Sequence, residues 1–247
     1  MEPVSFKRLK PKVVLGVAAH PDDLEFYMGG TVAKWAEDGT QVYYLILTDG
    51  GRGTADPKLK PVDLKEVRHK EQQEAARILG VEGVTFCDYK DCCLTNTTEV
   101  RRDIARAIRK YRPDVVLTID PSMLYSADYV QNQGFINHPD HRAAGQAVLD
   151  AVFPLARDYL SFPELEKEGL SPHKVQTILL VNFEKSNYAE DISGTIDKKA
   201  AALKAHTSQK PDVELLQNLS ANCGAKCNCQ HAETFVRIDI ESSLSSL

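Results

Sequence analysis

Four short stretches in the first 120 residues are apolar at nearly every position: VVLGVAA (13–19), QVYYLILT (41–48), VTFC (84–87) and DVVLTI (114–119). A strand with one wet face alternates; these do not, so both of their faces must be covered. The stretches between them have helical spacing. Residues 64–79 place Leu64, Val67, Glu71, Ala75, Ile78 and Leu79 near one helical face and stop at Gly80. Residues 99–111 repeat Val100, Ile104, Ala107 and Ile108 before Arg112-Pro113 ends them. A short helix is expected over 31–38, stopped by Gly39. Strands that need cover on both sides, with helices between them, predict an α/β fold: a Rossmann-like, doubly wound, mostly parallel sheet with helices on both faces.

After Ile119 the rhythm breaks. Residues 120–137 hold no clear period and are expected to form a long active-site loop. A helix then begins at HPDHRAAG, with Pro139 in its first turn. QTILLVN (176–182) and TFVRIDI (234–240) read as strands, and TIDKKAAALKAH (195–206) as a helix capped by Thr195. The 247 residues are expected to form a single domain over 1–247, with a cysteine-containing C-terminal segment at 221–231.

Composition narrows the partners. A net charge of −5 argues against nucleic acid or an anionic membrane, either of which calls for a basic face. No apolar run approaches the roughly 20 residues of a membrane span. Lys7, Arg8, Lys10 and Lys12 before VVLGVAA imitate a secretory signal, but cleavage after Ala19 would remove the strand that should hold His20. Six cysteines in a chain this long are no disulfide scaffold, so a reducing cytoplasm is expected. A homo-oligomer is left open.

The first strand climbs through the core and ends on AHPDD. The carboxyl edge of a parallel sheet is where such folds bind ligands. Pro21 biases His20 toward extended backbone, which lets the imidazole turn back over the strand tip. Asp22 and Asp23 are neighbours that point in different directions. One of them can ligate a metal beside His20 while the other remains a free base. Helix capping would explain one aspartate, but not the histidine, the proline and both acids together. HPDH at 138–141 is the complementary piece. His141 brings a second nitrogen; two nitrogens and one carboxylate leave the open position that a catalytic zinc needs.

Together, AHPDDLE, GGT, LTDG, the R-x-x-E of Arg68 and Glu71, HPDH and HTSQ (206–209) resemble the PIG-L/LmbE-like family of zinc-dependent de-N-acetylases. Members of that family remove the acetyl group from N-acetylglucosamine units. The resemblance implies an LmbE-like fold, one catalytic Zn2+ with other divalent ions open, and a small N-acetylated amino sugar or glycoconjugate as substrate. It implies His20, Asp23 and His141 as metal ligands. Asp22 would be the general base for a metal-activated water. His138, protonated, would stabilise the oxyanion and help protonate the leaving amine, with Asp140 orienting a histidine. Arg68 and Asp91 match positions that hold sugar hydroxyls. The chain departs from the family at Asp91-Cys92-Cys93, where D-G is usual, and in a longer segment before HPDH.

Three weaker signals have plainer explanations. DGGRG (49–53) lacks the GK[ST] ending of a phosphate loop and reads as a turn, with Arg52 near the cleft. Cys223, Cys227, Cys229 and His231 look like a soft metal site but match no standard zinc spacing; they read as free thiols on a loop, with a second structural zinc as the alternative. His206 closes a helix, where it complements the C-terminal dipole. Two competing functions remain: a dinucleotide-binding oxidoreductase, which lacks the glycine fingerprint where HPDD stands, and a non-catalytic metal- or sugar-binding module, for which Asp22 would be superfluous.

Overall fold

The computed structural model describes residues 8–54, 56–130 and 133–240. Lys7 of the signal-like stretch lies outside them. VVLGVA becomes β1 (Val13–Ala18) and lies inside the sheet, paired in parallel with β2 (Gln41–Thr48) on one side and β4 (Val115–Ile119) on the other. β3 (Gly83–Tyr89) extends the sheet beyond β2, and β7 (Thr177–Val181) extends it beyond β4, both parallel. β9 (Ala232–Asp239) then pairs antiparallel with β7 and with β8 (Tyr188–Asp191), giving the order β3-β2-β1-β4-β7-β9-β8. The doubly wound, mostly parallel sheet is as expected, and the order reverses between β1 and β4. The crevice outside such a reversal is the ligand site of open α/β sheets.

Each face of the sheet carries its own core. Leu15, Val17, Leu45 and Val116 point to the side covered by α3 (Thr98–Tyr111) and α4 (Pro139–Asp150), where Ile104, Ile108, Ala144 and Val148 meet them. Val14, Ala18, Tyr44, Ile46 and Leu117 point to the other side. There they meet Leu24, Met28 and Val32 of α1 (Asp23–Glu37) and Ala75 and Leu79 of α2 (Pro61–Leu79). This two-sided burial is why the strands show no alternation. α6 (Ile196–Lys204) completes that face through a buried pair, Lys199 Nζ to Glu233 Oε1 at 2.6 Å, while Glu233 also accepts from the backbone of Gly30 and Thr31.

Several boundaries differ from the sequence reading. α1 begins at Asp23, eight residues before the expected short helix, because the aspartates that carry the chemistry also form its first turn. The segment over 120–137, expected as a loop, forms a β-hairpin of β5 (Tyr125–Val130) and β6 (Gln133–Ile136), with Tyr125 opposite Ile136; residues 131–132 lie outside the description. Its strands cross no core, and Tyr125 and Ile136 stay exposed, so no burial pattern announces them. Thr195 precedes α6 without a side-chain cap bond; its hydroxyl donates to the Gly30 carbonyl at 2.8 Å. Beyond it, α7 (Val213–Lys226) takes up residues the sequence left unassigned, as does the short α5 (Pro163–Lys167) before β7.

Candidate active site and metal centre

β1 delivers His20 to the carboxyl edge beside the reversal point, and the chain turns sharply into α1. Asp22 makes that turn with φ +96°, a left-handed conformation that residues with a Cβ rarely adopt. The turn after β2 presses against it: a Cβ on Gly50 would lie 2.9 Å from Pro21 Cδ, and φ at Gly50 is +60°. Glycine is required there on both counts.

From the other side, α4 brings His141 onto the same spot. His20 Nδ1 and His141 Nε2 are 3.2 Å apart, Asp23 Oδ1 is 3.0 Å from His141 Nε2, and Asp23 Oδ2 is 3.5 Å from His20 Nδ1. Asp23 Oδ2 is also held by the His20 backbone N–H at 2.8 Å. A tetrahedral ion with bonds of about 2.0–2.1 Å to nitrogen and oxygen sets its ligand atoms about 3.3 Å apart. The three groups expected to ligate therefore fit a small divalent cation.

Two other trios of donor atoms lie within 4.8 Å of one another among the described residues: His20 with His138 and His141, and His20 with Asp91 and Asp140. The second trio is the orienting shell, not the metal cradle. Asp140 Oδ2 and Asp91 Oδ1 lie 3.3 and 3.2 Å from Nε2 of His20, the nitrogen turned away from His141. A carboxylate on one imidazole nitrogen fixes the tautomer and turns the other lone pair toward a cation. Asp140 is itself fixed by the backbone N–H groups of Cys92 and Leu94, and Asp91 by that of Arg52 at 3.0 Å. Asp140 thus stands where a carboxylate could orient a histidine. Asp91 does so too, although the sequence reading places it on a sugar; it is buried and engaged on His20.

Arg68 departs furthest from expectation. The helix-face argument leaves its side chain free to hold a sugar, but the side chain turns inward and is 4% exposed. Nη2 donates to the Pro21 carbonyl at 2.6 Å and to Asp22 Oδ2 at 3.1 Å; Nη1 donates to the carbonyls of Gly50 and Arg52 at 3.1 and 3.3 Å. Its fork ties the turn after β1 to the turn after β2, so DGGRG serves as a packed turn and not as a phosphate cradle.

Charge in the cluster favours a cation. Burial alone would lower His20, but Asp140, Asp23 and Asp91 outweigh it and push His20 up to about 12. Burial works against ionised Asp23, yet His141 and His20 hold it well below the usual carboxylate range. Asp22 goes the other way: burial raises it to about 6, tempered by Arg68. Surroundings that trap a proton on His20 would equally welcome a divalent ion in its place.

His138 caps α4, and its Nδ1 accepts the Asp140 backbone N–H at 3.2 Å. The ring proton is therefore on Nε2. Burial, with His20 and His141 nearby, lowers His138 below the usual histidine range, a direction that favours the neutral imidazole over the protonated one of the sequence reading. Its ring centroid lies 4.8 Å from that of His20. Cys92 has φ +60°, which accounts for glycine being usual there; a cysteine keeps the turn and still offers its N–H to Asp140.

Sequence reasoning missed Glu25, Gln72 and the true place of His206. The signal was present in HTSQ and R-x-x-E: Glu71 accepts from Thr207 Oγ1, Ser208 N and Ser208 Oγ at 2.7–2.8 Å, which seats His206 against Glu25 and away from any helix-end role. Among the described residues, no trio of donor atoms within 4.8 Å of one another includes a C-terminal cysteine. Cys223 belongs to α7, not to a loop, and Cys223 and Cys227 are packed with Ala189 and Ala232.

The family profile described as PIG-L, GlcNAc-PI de-N-acetylase, matches residues 15–152. A diacetylchitobiose deacetylase of Thermococcus kodakarensis is 37% identical over 205 residues, covering 81% of this chain and 71% of its own. A 1D-myo-inositol 2-acetamido-2-deoxy-α-D-glucopyranoside deacetylase of Mycobacteroides abscessus is 30% identical, covering 78% of this chain and 80% of its own. Among solved structures, the N,N'-diacetylchitobiose deacetylase of Pyrococcus horikoshii superposes with a TM-score of 0.83 at 32% identity, over 93% of this chain and 84% of that one.

Proposed function

Because this chain belongs to the PIG-L family of GlcNAc-PI de-N-acetylases, we propose that it is a metal-dependent hydrolase that removes the acetyl group from an N-acetylglucosamine-type sugar. The convergence of His20 Nδ1, His141 Nε2 and the Asp23 carboxylate within 3.5 Å carries this reading. Two imidazoles and one carboxylate suit zinc, which when bound supplies a water of lowered pKa and a positive charge toward the acetyl carbonyl.

The remaining steps belong to the chain's own groups. Asp22 accepts the proton of the attacking water, and its raised pKa makes it a stronger base than an exposed aspartate. Arg68 restrains it through one oxygen, Oδ2, at 3.1 Å. His138, neutral and with its proton on Nε2, donates toward the oxygen on which negative charge develops. Since His138 holds no spare proton, the one taken by Asp22 passes to the leaving amine. Asp140 and Asp91 hold the Nε2–H of His20 so that its other nitrogen faces the cation. Water, one proton transfer each way and a broken C–N bond give acetate and a free amino sugar.

N,N'-diacetylchitobiose is the substrate to try first, given the two chitobiose deacetylases among the relatives. The chain reads as one catalytic unit, since β1, which starts at Val13, and β9, which ends at Asp239, belong to one sheet. Six unpaired cysteines suit a reducing compartment such as the cytoplasm. The experiment is acetate release from N,N'-diacetylchitobiose and N-acetylglucosamine by the purified protein, before and after chelation, with metal content measured in parallel. Chelation should abolish turnover, zinc should restore it, and His20→Ala or His141→Ala should lose most bound metal. Full turnover by metal-free protein, or no release from any N-acetylglucosaminide, refutes the reading.

A further inference from the structure

Behind Asp22 lies a row of buried polar groups that the reaction does not touch. The Asp22 N–H donates to Gln72 Oε1 at 3.0 Å, and Gln72 Nε2 donates to Glu25 Oε1 at 2.8 Å. Glu25 Oε2 faces His206 Nε2 at 3.3 Å, a pair held by charge without an aligned hydrogen bond. Gln72, Glu25 and His206 are all 0% exposed. Such groups are expensive to bury, and the fold gains no obvious packing advantage from them over apolar side chains.

Their order is directional. The Glu25 carboxylate accepts only, so Gln72 must turn its NH2 toward Glu25 and its carbonyl toward Asp22. His206 Nε2 faces the other carboxylate oxygen, Oε2, at 3.3 Å and keeps Glu25 in that orientation. Glu71, next to Gln72 on α2, seats His206 by its three bonds to Thr207 and Ser208. One helix therefore sets both ends of the row. The end point is the one non-glycine residue of HPDD with a left-handed backbone, φ +96°, which needs outside support to persist.

We propose that Gln72, Glu25 and His206 form a positioning chain that holds the Asp22 backbone in its left-handed turn and so aims its carboxylate at the attacking water. This rests on Asp22 being the general base. None of the three touches substrate or metal; they act through Asp22 alone.

The test is a double-mutant cycle read with N,N'-diacetylchitobiose. Gln72→Met should lower kcat roughly 10–100-fold, the usual worth of a supporting polar partner, with KM and metal per chain unchanged. His206→Leu should do the same, while His206→Gln, which keeps a donor, should recover most of the rate. In an Asp22→Asn background, Gln72→Met should change the residual kcat less than about twofold, since the two act as a unit. Equal fold-losses in both backgrounds would overturn the chain while leaving Asp22 as the base. So would a loss of metal or of melting temperature that accounts for the lost rate. Full activity in Asp22→Asn alone would overturn the base assignment and the chain with it.

Discussion

Replacing Arg68 by alanine distinguishes a residue that reads sugar from one that holds two turns together. The guanidinium serves four acceptors: the carbonyls of Pro21, Gly50 and Arg52, and Asp22 Oδ2. It is 4% exposed, so water does not replace it freely. Truncation leaves three carbonyls and a carboxylate short of partners. Each unmet buried group costs about 1–3 kcal/mol, but neighbours in one network do not add, and removal of one member of a buried ion pair typically costs about 3–5 kcal/mol in all. For a chain of this size that is a fall in melting temperature of about 6–20 °C. Arg68→Lys should recover only part of it, because an ammonium cannot span both turns. In steady-state assays, Arg68→Ala should depress kcat/KM equally on N,N'-diacetylchitobiose and on a simple acetamide without sugar hydroxyls. An unchanged melting temperature, with a loss confined to the sugar, would refute this and restore Arg68 as a sugar contact.

Asp22→Asn should keep the metal and lower kcat by roughly 10²–10⁴-fold. With Asp22 intact, kcat/KM should fall as pH drops through about 6 or below, since burial raises this carboxyl while a bound cation would lower it; a rate independent of pH from 4 to 8 would contradict the assignment. Gly145→Ala should destabilise by about 1–3 kcal/mol and weaken metal binding: the new Cβ would lie 2.9 Å from Pro121 Cδ and closer still to the Ile119 carbonyl, levering α4 and His141 outward. Metal analysis should find one ion per chain, and Cys227→Ser should cost only about 1 kcal/mol; two tightly held zincs would overturn the reading of those cysteines as packing residues.

The sheet was legible because its physics is local. A strand covered on both faces must be apolar at every position, and the runs that became β1, β2 and β4 announce that without any knowledge of their neighbours. The candidate ligand trio stood out in the sequence for a related reason: HPDD and HPDH concentrate groups that are hard to bury at the ends of elements. The hairpin over Tyr125–Ile136 was not, because exposed strands carry no burial pattern. What each polar side chain does also lay beyond the linear order. Arg68 and Asp91 were visible as functional types, but their direction depends on which turn packs across from them, and that is set by β2, β3 and α2 meeting in space. Gln72, Glu25 and His206 lie as far apart as 181 residues and make one row only once α1, α2 and the end of α6 are stacked. Residue type and spacing dictate which chemistry is available and which surfaces must be hidden; partner, orientation and protonation state arise from long-range packing, because a polar group's energy depends on what surrounds it far more than on what precedes it in the chain.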